Sequence, residues 1–136
     1  MALKNRLYPH LLPHDIEVWE RWLGLYGSQY THFDYDVRVG QGRDPGENYA
    51  PNMRQMGIDL SQRRIDAVGH QKDRITIIEI TTAAGLKTIG QIFTYPVLYQ
   101  RKFHPLKPLR SLIVCSSVQD DMRPALTAHN IQTDVV

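Results

Sequence analysis

The sequence is poor in cysteine, with Cys115 the only one in 136 residues. A lone cysteine forms no internal disulfide, which excludes the small secreted proteins that depend on such cross-links. Cys115 ends an apolar run over 111–115, so we expect a buried, inert thiol rather than a nucleophile. We find neither a signal peptide nor an apolar run long enough to span a bilayer. These features predict a soluble protein of a reducing compartment, the cytoplasm, with no membrane partner.

Several familiar site signatures are lacking as well. The formal net charge is only +2, which permits a nucleic-acid partner without requiring one. The six histidines are dispersed and lack zinc-ligand spacing. There is no Gly-rich phosphate loop and no Gly-x-Ser-x-Gly elbow. Any site must therefore come from another set of side chains.

Two short β-branched runs, over 64–69 and 75–81, lie at the centre of the chain. They predict two strands joined by the polar segment 71–74. The second run is the most apolar stretch of the chain and should be the central strand of the sheet. A two-residue or a four-residue turn pairs positions whose numbers sum to 145, and the four-residue turn is favoured because Lys-Asp is a weak hairpin turn. Asp66 then lies directly across from Glu79 on one face of the pair. A turn with an odd number of residues would separate them.

Two adjacent carboxylates on an apolar hairpin are unfavourable unless a positive charge lies between them. A hard cation such as Mg²⁺ binds to one or two carboxylates together with water and substrate phosphate. The alternative is that Asp66 and Glu79 lie on a solvated face and pair with Arg64 or Arg74.

The segment after the second of these strands has helical periodicity to about Arg101. Its apolar residues predict the face that packs on the sheet, namely Leu86, Ile89, Phe93 and Val97. A stripe of residues spaced by four lies on another face and consists of Lys87, Gln91 and Tyr95. Because this stripe follows the paired acids immediately, we expect it to face them rather than solvent. Pro96 predicts a kink or an early end of the helix.

Asp66 is followed, after a spacer, by Glu79-Ile80-Thr81 and then by a helix with Gln91-x-x-x-Tyr95. This order of residues resembles the PD-(D/E)XK nuclease superfamily, with features of its RecB-like exonuclease branch. The resemblance implies an α/β (α+β), restriction-endonuclease-like fold: helix, three antiparallel strands, helix and strand, here with a short C-terminal helix and strand. It also implies metal-dependent phosphodiester cleavage, with Mg²⁺ or Mn²⁺ held by Asp66, Glu79 and the Ile80 carbonyl. The motif lysine is replaced by Thr81, and some relatives carry that lysine on the helix, which makes Lys87 the candidate.

The remaining segments complete one predicted domain over 1–136. Residues 1–12 form an apolar arm, and a helix starts at Pro13 and ends near Gly27. An acid on this helix sometimes completes the metal site in relatives, which makes Glu20 a weak candidate ligand; the alternative is a solvated glutamate. Residues 31–39 alternate as a first strand, 40–52 read as a long exposed loop, and 53–61 lead into the second strand. The run over 109–115 predicts a buried fourth strand.

Three functions remain open from the sequence. In an active nuclease, Lys87 orients the attacking water or stabilises charge, Gln91 positions the substrate and Tyr95 packs beneath a base. The second is a degenerate nuclease fold reused as a structural or adaptor subunit, such as a component of a phage particle, that forms a homo-oligomer or a larger assembly. The third is a module that binds DNA without cutting it. The basic residues that would contact DNA phosphates are Arg54, Arg63, Arg64 and Lys72. A phage protein of this kind would lie in the host cytoplasm or the virion.

Overall fold

The computed structural model describes residues 7–136 and contains a five-stranded mixed sheet with four helices. The part of the predicted arm over 1–6 lies outside the described residues. The elements are α1 (Pro13–Tyr26), β1 (His32–Val39), α2 (Pro51–Ser61), β2 (Arg63–His70), β3 (Ile75–Ala84), α3 (Leu86–Phe103), β4 (Leu109–Val118), α4 (Arg123–Ala128) and β5 (Gln132–Val135). The general α/β class predicted from the sequence is therefore confirmed, as is a first helix that begins at Pro13.

The strands lie side by side in chain order, from β1 at one edge to β5 at the other. β1, β2 and β3 are antiparallel, whereas β4 is parallel to β3 and β5 is parallel to β4. Between β2 and β3, Ala67 pairs with Ile78 and His70 with Ile75. The predicted register, with numbers that sum to 145, is thus confirmed, as is the four-residue turn over 71–74. β3 is the central strand, as its apolar composition predicts.

Helix α1 covers one face of the sheet with two tryptophans. Trp19 and Trp22 are buried and stacked on each other, with ring centroids 4.9 Å apart. Their neighbours in the core include Ile78 on β3 and Leu112 on β4. The described part of the arm packs here too, because Tyr8 and Leu11 are buried in the same cluster.

Helix α3 covers the opposite face, but with a different side from the one predicted. Its buried residues are Thr88, Ile92, Tyr95 and Tyr99. The predicted packing face is largely wrong: Leu86 is 75% exposed and Phe93 and Val97 are also exposed, whereas Ile89 packs partly against the core. The Tyr95 side of the helix lies against the sheet, and that rotation turns the Leu86 side outward. Pro96 does not end the helix, which continues to Phe103.

The region between β1 and β2 contains a helix that the sequence analysis missed. The predicted loop over 40–52 is wrong at its end, because α2 begins at Pro51, and the residues over 53–61 are helical rather than a lead into the strand. The loop folds back onto α2 through a two-pronged contact between Asp44 and Arg54, with nitrogen–oxygen distances of 2.6 and 2.8 Å. This contact lowers the pKa of Asp44 to about 2. Among the helices of residues 7–136, none combines the length and apolar character needed to cross a bilayer.

Candidate active site

The site begins where strands β2 and β3 stop pairing. Their ladder ends at the Ala67–Ile78 pair. Beyond it, the Asp66 carboxylate accepts a hydrogen bond from the backbone N–H of Ile80, with Oδ2 2.9 Å from the nitrogen. His10 Nε2 lies 3.0 Å from the backbone carbonyl oxygen of Asp66 and donates a hydrogen bond to it. The Asp66 side chain thus remains next to β3, level with Glu79.

Backbone geometry on β1 marks the same place. Asp36 has a φ of +52°, in the left-handed region, and lies between the Tyr35–Ala67 and Val37–Ile65 pairs. Tyr35 packs on the α1 face of the sheet, whereas Val37 packs on the α3 face. The alternation of β1 side chains between the two faces of the sheet is therefore interrupted at Asp36, level with Asp66 on β2.

Glu79 is a buried carboxylate that lacks a full set of partners. Its side chain is 3% exposed, and Oε1 has no hydrogen-bond partner. Burial, followed by the negative charge of Asp66, raises the pKa of Glu79 well above 4.5. Lys87 opposes this shift because its positive charge lowers the pKa. A carboxyl group in this state is costly to ionise unless a cation is added.

Asp66 and Glu79 act electrostatically as one pair. Burial also raises the pKa of Asp66, while hydrogen bonds from Ile80 and Glu79 lower it. Without a cation, the raised pKa of Glu79 favours its protonated form beside Asp66. The predicted juxtaposition of these carboxylates on one face is present, and they are not on a solvated face.

Both carboxylates line a cavity of about 640 Å³ at the C-terminal end of β3. The other described residues of its wall include His10 and Asp15 from the N-terminal side, Thr81, Lys87 and Gln91. Glu20, the predicted acid of the first helix, is not among them; its negative charge instead acts on Tyr8 and Tyr35. Asp15, in the first turn of α1, accepts a hydrogen bond from the Thr82 hydroxyl at 3.2 Å.

Lys87 on helix α3 is the only lysine or arginine among the described residues of this cavity wall. Lys87 is exposed, in the first turn of α3, and lines the cavity together with Thr81. Thr81 is half-buried and its hydroxyl bonds only weakly, to the Ala83 carbonyl oxygen at 3.4 Å. Thr81 carries no charge, and the positive charge beside it comes from Lys87. Lys87 lies close enough to Glu79 to lower the pKa of its carboxyl group.

A second cavity of about 520 Å³ adjoins the first. Lys87 and Gln91 line both, and the second also contains Arg63, Arg64 and Tyr95. Gln91 Nε2 donates to the Tyr95 hydroxyl at 3.4 Å. Burial raises the pKa of Tyr95, the negative charges of Glu79 and Asp66 raise it further, and the positive charge of Arg63 lowers it. The tyrosine thus lies between the acidic pair and the basic wall.

Two of the predicted basic residues do not join this group. Arg54 is held by Asp44 on α2 and lines a separate cavity. Lys72 is exposed in the β2–β3 turn, at the far end of the hairpin. Of the four basic residues named from the sequence, only Arg63 and Arg64 line the groove beside the acids.

Comparison of the chain with protein-family models, with curated proteins and with solved structures found no match. The function must therefore be argued from the geometry of the site itself.

The donor set suits a hard divalent cation. Two carboxylates and a backbone carbonyl supply oxygen ligands, which Mg²⁺ and Mn²⁺ prefer. Glu79 Oε1, buried beside Asp66, has no hydrogen-bond partner and is therefore available to coordinate a cation. The sequence analysis missed His10 and Asp15, because no spacing rule connects them to strands more than fifty residues away. Their only signal was their position, with His10 in the turn before the first helix and Asp15 in its first turn.

Proposed function

We propose that the protein is a metal-dependent nuclease with the PD-(D/E)XK arrangement, in which the motif lysine has moved from β3 to α3. Asp66 and Glu79, with the carbonyl of Ile80, hold Mg²⁺ or Mn²⁺. When bound, such an ion polarises a scissile phosphate and lowers the pKa of an attacking water.

The chain's own side chains divide the remaining work. Lys87 orients the attacking water and neutralises charge that develops on the phosphate. Arg63 and Arg64 hold neighbouring backbone phosphates along the adjoining groove. Gln91 and the buried Tyr95 fix the position of the α3 face that carries Lys87. DNA is the expected substrate.

The observation that carries this proposal is the unpartnered, buried Glu79 oxygen beside Asp66 in a cavity shared with Lys87. A buried, ionised carboxylate is unfavourable for folding unless it is paired, so its position beside Asp66 favours a bound cation. The basic groove next to it gives a path for a polyanion.

The test is cleavage of plasmid and single-stranded DNA in Mn²⁺ by the wild type, Asp66→Ala and Lys87→Ala. We expect the Lys87 variant to lose roughly 10²–10³ in rate, as for removal of one charge-stabilising donor. Asp66→Ala should also lose the heat of Mn²⁺ binding. Lys102→Ala, on the same helix but away from the described cavity walls, is the matched control and should cleave normally. Absence of cleavage and of Mn²⁺ binding in the wild type would overturn the proposal.

A second candidate is a subunit that keeps the fold without the activity. Two observations favour it: Thr81 carries no charge, and the apolar side chains of Met53, Met56 and Leu60 on α2 are more than half exposed. Such a protein would assemble with a defined stoichiometry that Asp66→Ala leaves unchanged. Light scattering measures the oligomeric mass of the wild type, Asp66→Ala and Met56→Ser. The comparison separates this candidate from the nuclease.

A further inference from the structure

Three side chains with metal-binding chemistry lie together near the β2–β3 turn, away from the acidic pair. They are His32 and Asp34 on the edge strand β1 and His70 at the end of β2. His32 pairs with His70 in the strand register, and Asp34 is two residues further along β1. Residues two apart on a strand share a face, so all three project on the same side of the sheet.

The donor atoms are close to coordination distance from one another. His70 Nε2 lies 2.8 Å from Asp34 Oδ2, and one donor atom from each residue can be chosen so that all lie within 4.8 Å. The rings of His32 and His70 are nearly parallel, 7° apart, with centroids separated by 4.1 Å. Two ligand atoms on a tetrahedral zinc ion are about 3.4 Å apart, from bond lengths of about 2.1 Å. To join the set, the exposed His32 ring must turn out of its stack on His70, because a bound ion lies in the plane of each imidazole that ligates it.

The composition of this cluster selects the class of ion. Two imidazoles and one carboxylate form a nitrogen-rich set, which suits Zn²⁺, Co²⁺ or Ni²⁺ better than Mg²⁺. Three protein ligands leave a fourth position open, and His32 and Asp34 are exposed, so water can reach that position.

We propose that His32, Asp34 and His70 form a binding site for a transition-metal ion of the Zn²⁺ class, separate from the site of Asp66 and Glu79. His70 and Asp66 are four residues apart on β2, which is about 13 Å along a strand. The ion joins the edge strand to its neighbour. The backbone already closes this end, since Thr31 N and Oγ1 each lie 2.8 Å from the carbonyl oxygen of His70.

The experiment uses the full chain with Asp66→Asn and Glu79→Gln already introduced, so that the acidic pair cannot supply the signal. Zn²⁺ is titrated against it by calorimetry, and Co²⁺ by its visible absorption spectrum. We expect one equivalent of metal to bind. Replacing both histidines, His32→Gln with His70→Gln, should weaken binding by at least roughly tenfold, while His14→Gln, at an exposed position on α1, should have no effect.

Circular dichroism checks that each variant is folded, and the single change His32→Gln, at an exposed side chain, provides a second test that leaves the packing intact. Equal Zn²⁺ affinity in the double-histidine variant would overturn the proposal, as would failure of the parent to bind Zn²⁺. Because the acidic pair is already disabled, neither result bears on the proposed nuclease activity.

Discussion

The Asp66 carboxylate accepts a hydrogen bond from the backbone N–H of Ile80, where β3 no longer has β2 as a backbone partner. One side chain therefore both completes the edge of the hairpin and stands beside Glu79. The structural role and the proposed ligand role of Asp66 can be separated, because asparagine keeps an acceptor oxygen and alanine does not.

Asp66→Asn should retain most of the stability of the metal-free protein, whereas Asp66→Ala leaves the buried N–H of Ile80 unpaired. We expect the alanine variant to be less stable than the asparagine variant by about 1–3 kcal/mol. Urea denaturation in EDTA measures the difference. Equal midpoints for the two variants would show that the hydrogen bond contributes nothing to folding.

Glu79→Gln should change how stability depends on pH. Because the pKa of Glu79 is raised in the folded protein, the folded state holds a proton that the unfolded chain releases above its ordinary pKa of 4.5. Protonated Glu79 therefore contributes its full stabilisation of the folded state below pH 4.5. This contribution is lost as the pH rises through the pKa that Glu79 has in the folded protein. In EDTA, the wild type should lose stability over this range and Glu79→Gln should lose less. Parallel pH profiles of the free energy of unfolding would contradict this reading.

Thr81→Lys restores a lysine two residues after Glu79, on the same face of β3. Since Thr81 lines the cavity of the acidic pair, the new ammonium group can reach it. We expect Thr81→Lys to rescue cleavage in the Lys87→Ala background by roughly 10²-fold. Thr127→Lys, at an exposed position on α4 away from the acidic pair, is the matched control and should give no rescue.

Arg63→Ala should weaken DNA binding in Ca²⁺ or EDTA and reduce the slope of log affinity against log salt by about one. Arg54→Ala should leave that slope unchanged, because Arg54 is engaged with Asp44 away from the groove. Fluorescence anisotropy at several salt concentrations compares the two variants. A similar loss in both would mean that the groove beside the acids is not the binding surface.

The hairpin register could be predicted from the sequence because it depends only on the number of residues in a turn. Asp66 and Glu79 are opposed for any even turn centred between them, and the four-residue turn over 71–74 satisfies this. The apolar composition of β3 likewise predicted its central position. Both predictions depend on local pattern, which the fold preserved.

The orientation of α3 could not be predicted in the same way. Counting apolar residues selected Leu86 and Phe93, but the buried side contains Thr88 and Tyr95. Tyrosine and threonine bury well when they have partners, and apolar residues are often exposed in folded proteins. The helix orientation depends on contacts with the sheet that no helical periodicity encodes.

The grouping of His32, Asp34 and His70 was invisible for a different reason. His70 is 38 residues beyond His32, and helix α2 separates their strands along the chain although the strands are neighbours in the sheet. Only the β1–β2 register, set by packing on both faces, brings the rings together. Helix α2 itself was missed because its neighbourhood is rich in glycine and proline, which favours a loop reading.

The central position of β3 has a consequence for motion. Glu79 stands on a strand that has a neighbour on each side, β2 and β4, and helices cover both faces. Amide hydrogens in such a strand exchange with solvent only through large-scale opening, whereas those of the edge strands β1 and β5 exchange through local fraying. We therefore expect the amides around Glu79 to exchange more slowly than those of β1 and β5, because the carboxylate is attached to a strand with neighbours on both sides.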